Sequence, residues 1–187
     1  VWGDDCETVD QGREVSEWLT EAIDSPVTLR IVRRAPGFTR PQNQPERYGA
    51  DTRTEFADSA PFLLASEASL GELNRVLAAQ GHSPVPMNRF RPNIVVHGLE
   101  PFAEHRVRAL AAPGWRLRLV DPCERCIVTT IDQETALRDT SREPYLTLRR
   151  INPAPRPKPG PAFGQNAILD QGDGLKVAVG EQLSVLP

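Results

Sequence analysis

Two thiols three positions apart are the groups in this sequence with the clearest capacity for chemistry. Cys123 and Cys126 lie in Pro-Cys-Glu-Arg-Cys, directly before a β-branched run at residues 127–131. In a redox protein a Cys-x-x-Cys pair caps a helix, whose N-terminus lowers the thiol pKa. Here the run is Ile-Val-Thr-Thr-Ile, which has high strand propensity and poor helix propensity. We therefore expect the thiols at the mouth of a strand and not on a helix cap.

A structural zinc site is not favoured, because it normally needs two more ligands at short spacing. The other candidates are Cys6, His82, His97 and His105, and none of them forms a pair at ligand spacing. The residues alone leave three interpretations open. One thiolate could serve a soft metal, one thiol could be reactive by itself, or two buried cysteines could have no chemistry.

A turn bracketed by prolines, residues 85–93, carries two arginines and enters an apolar strand at residues 94–96. Arg89 and Arg91 suit an anionic ligand, because a guanidinium group binds phosphate in a bidentate manner. The alternative is that they pair with carboxylates such as Glu100 or Glu104. Composition alone favours that pairing.

The elements that must position these residues are mostly short strands. Apolar or alternating runs predict strands at residues 27–33, 62–65, 94–96, 115–120, 162–169, 175–179 and 183–186. A helix is predicted from Gln11, with one apolar stripe formed by Val15, Trp18, Leu19, Ala22 and Ile23. A second helix is predicted after a capping box of Ser69 and Glu72, and it ends near Gly81.

Two segments show little periodicity. Residues 34–54 contain four arginines and predict a long loop, for which a solvated, mobile linker is favoured over an anion-binding role. Residues 152–161 have a proline at every second position from Pro153 and predict an extended connector outside the sheet. Residues 145–148 predict a short helical or extended piece.

Composition restricts the class of protein. A chain of 187 residues with a net charge of −3 has no basic excess to neutralise phosphates, which argues against a general nucleic-acid binder. No apolar run approaches the length that spans a bilayer, so no membrane partner is expected. Three cysteines, two of them crowded together, favour a reducing compartment, for which we expect the cytoplasm.

Several ordered motifs together resemble the MOSC domain, in particular bacterial relatives of the mitochondrial amidoxime-reducing component. They are Cys-x-Arg-Cys-Ile-x-Thr-Thr-x-Asp at residues 123–132, Asn-Arg-Phe-Arg-Pro-Asn-Ile-Val-Val at 88–96 and Phe-Gly-Gln-Asn at 163–166, with Ser-Glu-Ala-Ser-Leu at 66–70 ahead of them. The resemblance implies a mainly β (α+β), barrel-like MOSC domain at residues 46–187 with a few helices. Residues 1–45 would be the C-terminal remnant of an N-terminal β-barrel-like domain, which makes us expect a longer protein upstream of Val1.

The resemblance also implies a molybdenum cofactor, whose pterin supplies two sulfurs to the metal while one protein cysteine supplies a third. A soft thiolate suits such a centre. The family pattern makes Cys126 the metal ligand and catalytic residue. Cys123 is then a neighbour that is dispensable for metal binding and could tune the surroundings of the ligand. The predicted cofactor contacts are Ser59, Ala60, Arg91, the backbone amides of Glu124 and Arg125, and Asn166. Pyridoxal phosphate binding is a further family-level term.

The implied reaction is reduction of small N-hydroxylated compounds with electrons from a partner reductase that carries flavin, haem or an iron–sulfur cluster. This chain has no dinucleotide-binding glycine motif after a strand and no clustered cysteines for an iron–sulfur module. Asp132 could carry a proton, although a carboxylate at the end of a strand more often caps a turn. The alternative function is a non-catalytic module that carries sulfur or the cofactor to another protein.

Overall fold

A computed structural model describes residues 1, 3–155 and 160–186 of the chain. The chain divides into two compact units, Val1–Ser59 and Ala60–Pro187. The family-based boundary after residue 45 remains a prediction. Residues 156–159, in the middle of the proline-rich segment, lie outside the described residues, whereas Pro153 and Pro161 on either side of them form an isolated antiparallel bridge.

The first unit is a strand–helix–strand arrangement, as expected from its sequence. Strand β1 (Thr8–Asp10) pairs antiparallel with β2 (Val32–Arg34), and helix α1 (Arg13–Ala22) connects them. The second strand is shorter than the alternation at residues 27–33 predicts. A short helix, α2 (Pro45–Tyr48), follows and begins with a proline, whose missing N–H costs nothing in a first turn.

Helix α1 is correctly predicted, but its apolar stripe is largely exposed. Trp18 is 65 % exposed and Ile23 60 % exposed, whereas the residue that the helix buries is Ser16. The hydroxyl of Thr20, one turn later, accepts the Leu29 amide at 2.9 Å. Within the described residues, the helix therefore contacts the chain through its hydroxyl-bearing side.

Residues 34–54 are packed, so the interpretation of this segment as a solvated, mobile linker is wrong. Arg40 is 1 % exposed, and its Nε lies 3.2 Å from a carboxylate oxygen of Asp4 while its Nη2 donates to the Asp58 carbonyl. Tyr48 and Thr54 are buried as well. A guanidinium group that is held by a carboxylate and a carbonyl gives this irregular segment a fixed path. The anion-binding role stays a prediction.

The second unit is built on a six-stranded sheet with the order β4-β3-β7-β6-β5-β8. Its strands are β3 (Phe62–Ser66), β4 (Ile94–Val96), β5 (Ala109–Ala112), β6 (Trp115–Glu124), β7 (Ala162–Gln171) and β8 (Ser184–Leu186). All pairs are antiparallel except β3 with β4. The sheet curls into a half-barrel, which confirms the predicted mainly β, α+β class.

Two apolar clusters hold this unit together. One lies on the sheet and includes Leu64, Leu110, Leu119 and Ala167. The other joins the sheet to helix α3 (Glu67–Ala79) and helix α4 (Tyr145–Ile151) through Leu73, Leu77, Phe90, Leu148 and Phe163. The second cluster packs Phe90, which precedes the cysteine motif in the sequence, together with Leu148 and Phe163, which follow it.

Three predictions about local structure need correction. Ser69 is not a helix cap, because α3 already begins at Glu67 and the Ser69 hydroxyl bonds the buried carboxylate of Glu104 instead. Residues 175–179 form no strand; they are largely exposed and pair with no strand in the described chain. The sequence does not predict strand β5, because Ala-Leu-Ala-Ala carries little strand propensity. The strand forms because the turn at Gly114 brings it antiparallel to β6.

In the described part of the chain, no helix has the length and apolar character that crossing a bilayer requires.

Candidate functional site

The cysteine motif begins inside a strand and ends outside it. Cys123 is the penultimate residue of β6, which ends at Glu124, and Cys126 follows two residues after that end. A 3-10 helix then spans Ile127–Thr130. The expectation that the β-branched run continues as a strand is therefore wrong: the strand precedes the thiols, and a short helical turn follows them.

Threonine hydroxyls explain why this run folds into a turn in spite of its strand propensity. Thr129 donates its hydroxyl to the Cys126 carbonyl at 3.1 Å, and Thr130 donates to the Ile127 carbonyl at 2.7 Å. Both threonines are buried. Side chains that bond a carbonyl three residues back compete with strand pairing and stabilise such turns.

The two cysteines have different surroundings. Cys126 is exposed, whereas Cys123 is half-buried and its Sγ accepts a hydrogen bond from Arg125 Nη1 at 3.0 Å. Neither forms a disulfide bond among the described residues. The sulfur that the family pattern assigns to the metal is thus the accessible one, and the interpretation of two buried, inert cysteines is wrong for Cys126.

Arg125 makes three hydrogen bonds that join separate segments. Its backbone amide donates to the Pro161 carbonyl at 2.7 Å, Nη1 reaches Cys123, and Nη2 donates to the Phe90 carbonyl at 2.9 Å. The amide that was expected to face a cofactor is therefore occupied by Pro161. A cofactor contact of Arg125 or of the exposed Glu124 stays a prediction.

Arg89 and Asp132 tie the other side of the motif to the proline-bracketed turn. Arg89 Nη2 lies 2.7 Å from the Asp132 carboxylate, and Nη1 donates to the Thr129 carbonyl at 3.4 Å. Hydrogen bonds from the Thr135 amide and hydroxyl, then from Glu134 and Arg89, lower the pKa of Asp132 to about 2. A carboxylate in that state caps a turn, and it holds no proton to deliver near neutral pH.

Arg91 stands directly after the 3-10 helix Met87–Phe90, with its backbone in the left-handed region at φ 53°. Its side chain is exposed, and it forms no ion pair among the described residues. The alternative that Arg91 pairs with Glu100 or Glu104 is not observed; Glu104 is buried and accepts from Ser69. An exposed guanidinium group beside the cysteine motif remains available to an anion.

Asn166 lies in the sheet, one strand away from β3. It is paired with Leu63 on one side and Asp121 on the other, and its Nδ2 lies 3.4 Å from a carboxylate oxygen of Asp121. Ser59 and Ala60 precede β3 at the division between the two units, and the Ser59 carbonyl accepts a bond from Gln42. The cofactor contacts of Ser59, Ala60 and Asn166 stay predictions.

Sequence reasoning missed the two arginine tethers, although both arginines were noted. The missing information was which carbonyls and carboxylates lie opposite them, since Phe90 and Arg125 are 35 residues apart and Arg89 and Asp132 are 43 apart. The sequence analysis did consider that Arg89 pairs with a carboxylate, but it named Glu100 and Glu104, whereas the partner in the structure is Asp132. Together the tethers bind the segment that carries Arg91 to residue 125, just before Cys126 in the sequence, and to residues 129 and 132 after it.

The donor groups fit the cofactor that the resemblance implies. Among the described residues, no three or more histidine, cysteine or acidic side chains gather where they could hold a metal ion. A metal at Cys126 would need its other ligands from the cofactor itself. An exposed thiol, and an exposed guanidinium group on a segment that is hydrogen-bonded to the same motif, match a metal with its own sulfur ligands and an anionic tail.

A separate cleft of about 650 Å³ opens between the two edge strands of the sheet. Its lining comes mainly from β4, β8 and residues 177–183, with Leu110 of β5 and Trp115 of β6. Neither Cys126 nor Arg91 lines it. This cleft and the candidate thiol therefore do not share lining residues.

The MOSC domain model matches residues 51–184, and the chain belongs to this family. It is 33 % identical to human mitochondrial amidoxime-reducing component 1 over 95 % of the chain and 53 % of that protein. It is 35 % identical to rat mitochondrial amidoxime reducing component 2 over 80 % of the chain and 44 % of that protein.

A molybdenum cofactor sulfurase from Danio rerio is similar as well, with 32 % identity over 79 % of the chain but only 18 % of that protein. The chain spans about half the length of the amidoxime-reducing relatives it matches. The match to the MOSC family and the similarity to a molybdenum cofactor sulfurase point to an association with the molybdenum cofactor.

Proposed function

We propose that this chain is the cofactor-binding part of a molybdenum-dependent oxidoreductase that reduces small N-hydroxylated compounds. The observation that carries the proposal is the exposed Cys126 thiol, positioned between two arginine tethers that both end on the segment of Arg91. The names of the amidoxime-reducing relatives support the reaction class. Electrons would come from a partner reductase that carries flavin, haem or an iron–sulfur cluster.

Each residue has a defined task in this proposal. Cys126, as a thiolate, would hold the metal, and Arg91 would pair with the anionic end of the cofactor. When bound, the molybdenum centre would supply the two electrons that reduce the N–O bond and would accept the oxygen atom. Ser59, Ala60, Glu124 and Asn166 would add contacts to the pterin. Asp132 has no proton role, because its pKa of about 2 keeps it ionised.

The test is the metal content of the full-length protein, measured by elemental analysis. We expect close to one molybdenum per chain in the wild type and none in Cys126→Ser, because a serine hydroxyl is a poor ligand for a soft metal. Cys6→Ser is the matched control, since this cysteine lies in the first unit. Equal molybdenum in Cys126→Ser and the control would remove the proposed ligand.

The alternative is a carrier module that transfers sulfur or the cofactor, and the similarity to a molybdenum cofactor sulfurase supports it. A carrier would show a persulfide on Cys126 by mass spectrometry and would not reduce a hydroxylamine when supplied with electrons. Pyridoxal phosphate binding stays a prediction. For the compartment we propose the cytoplasm, and three cysteines that form no disulfide bond among the described residues suit its reducing conditions.

A further inference from the structure

Cys123 has a contact that its expected role as a dispensable neighbour does not explain. Its sulfur is half-buried and accepts a hydrogen bond from Arg125 Nη1 at 3.0 Å. Because a guanidinium donor is charged, this bond is stronger than one between neutral groups. The Cys123 sulfur therefore holds Nη1 of Arg125, while Nη2 of the same guanidinium group is directed at a residue outside the strand.

Arg125 connects three segments, and each of its ends has a fixed partner. The backbone is held by the Pro161 carbonyl, and Nη2 holds the Phe90 carbonyl at 2.9 Å. The ring of Phe90 is buried and stacks on Phe163 at 3.8 Å between centroids. The stacking holds the Phe90 ring, and the hydrogen bond from Arg125 holds the Phe90 carbonyl. The peptide bond between Phe90 and Arg91 is therefore fixed through both the side chain and the backbone of Phe90.

Arg91 needs such support. Its φ of 53° lies in a region that a residue with a side chain adopts only when its surroundings impose it. The Phe90 carbonyl belongs to the peptide bond that precedes Arg91, so the hydrogen bond from Arg125 orients the first half of the Arg91 backbone. The bond between Cys123 and Arg125 in turn keeps the guanidinium group in place.

We propose that Cys123 and Arg125 form a positioning pair, in which the Cys123 sulfur anchors the guanidinium group that sets Arg91 relative to Cys126. This inference rests on the proposed function for its consequence, which is retention of the cofactor. Its geometric part, the path of residues 88–93, does not depend on any bound group. Cys123 thus supports the metal ligand without binding the metal.

The test compares four variants of the full-length protein: Cys123→Ala, Cys123→Ser, Arg125→Gln and the double variant Cys123→Ala/Arg125→Gln. Serine keeps a hydrogen-bond acceptor, so Cys123→Ser should keep most of the molybdenum. Cys123→Ala leaves Nη1 without its acceptor and should lower molybdenum per chain about tenfold, the lower range for groups that support a metal ligand. Arg116→Gln is the matched control, because it removes an ion pair with Asp170 from the other end of the same strand.

Two measurements separate positioning from a general loss of stability. Hydrogen exchange at residues 88–93 should accelerate in Cys123→Ala and Arg125→Gln but not in Arg116→Gln. The double variant should lose no more molybdenum than either single variant, because both remove one connected unit. A loss of molybdenum in the double variant equal to the product of the two single losses would contradict the proposed pair. Hydrogen exchange at residues 88–93 that is no faster in Cys123→Ala and Arg125→Gln than in Arg116→Gln would contradict it as well.

The outcomes also separate this inference from the proposed function. A wild-type protein without molybdenum would contradict the proposed function, and hydrogen exchange at residues 88–93 would still decide the pair. Molybdenum in the wild type with unchanged exchange and full retention in Cys123→Ala would leave the proposed function intact and remove the pair.

Discussion

The cysteine motif and the cleft between the edge strands differ in what they offer a ligand. The cleft has a volume of about 650 Å³ and a mainly apolar lining, but the predicted ligand and cation lie outside it. The motif has an exposed thiol, an exposed guanidinium group and two polar tethers across long sequence separations. The predicted ligand and cation are therefore not part of this cleft, and the candidate site rests on the arrangement of its donor groups.

Strand β7 connects the two regions through the sheet: it pairs with β6, which carries Cys123, and with β3, which pairs with the cleft-lining strand β4. Gly164 on this strand has φ 73°, and a Cβ there would lie 2.5 Å from the Leu64 carbonyl oxygen. Gly164→Ala should therefore lower the free energy of unfolding by about 2 kcal/mol or more, and the Tm by roughly 4–8 °C. Thermal unfolding followed by circular dichroism measures the change.

Gly71→Ala is the matched control for that substitution. Gly71 lies in α3 with open space at its Cβ position and an ordinary helical φ, so alanine should be neutral or stabilising. If the two variants unfolded at the same temperature, β7 would not be the shared support of the two regions.

The second prediction sharpens the comparison at the motif. Arg91→Ala should weaken cofactor retention about tenfold, because a charge-assisted hydrogen bond contributes roughly 1.5–3 kcal/mol. Molybdenum per chain after dialysis measures this. Arg116→Gln again serves as the control, and unchanged molybdenum in Arg91→Ala would count against the anion site.

The third prediction concerns the tether from Arg89 to Asp132. The pKa of Asp132 is lowered from 3.8 to about 2, so the ionised form stabilises the fold above pH 4. That contribution disappears as the pH falls through the range from 4 to 2. Asp132→Asn should be less stable than the wild type at pH 7, and urea denaturation should show the gap narrowing below pH 4. A gap that stays constant down to pH 2 would show that the carboxylate charge has no part in the tether.

The smallest effect is expected in the cleft. Val95 lies on edge strand β4 and is 44 % exposed, so Val95→Lys should be tolerated by the fold. Molybdenum per chain should match the wild type, since the cleft lies apart from Cys126 and Arg91. A loss as large as that of Arg91→Ala would mean that the two regions form one site.

Helical and strand periodicity predicted most elements of the second unit. Strands β3, β4, β6 and β7 and helix α3 follow from apolar runs, because burial on one face leaves a pattern in the sequence. The same reasoning failed at residues 127–130 and 175–179. In the first case threonine hydroxyls overrode strand propensity, and in the second an apolar run found no partner strand.

By itself, the sequence determined the family and the class of fold, because motif residues and hydrophobic periods are local properties of the chain. Cys126 as the ligand of a soft metal stays a prediction from the family pattern. Only the tertiary structure decided which groups lie opposite the motif residues. It exposed Cys126, occupied the Arg125 amide with Pro161, and assigned Asp132 to a turn and to Arg89. These contacts join residues tens of positions apart, and no local pattern records which carbonyl a given guanidinium group will reach.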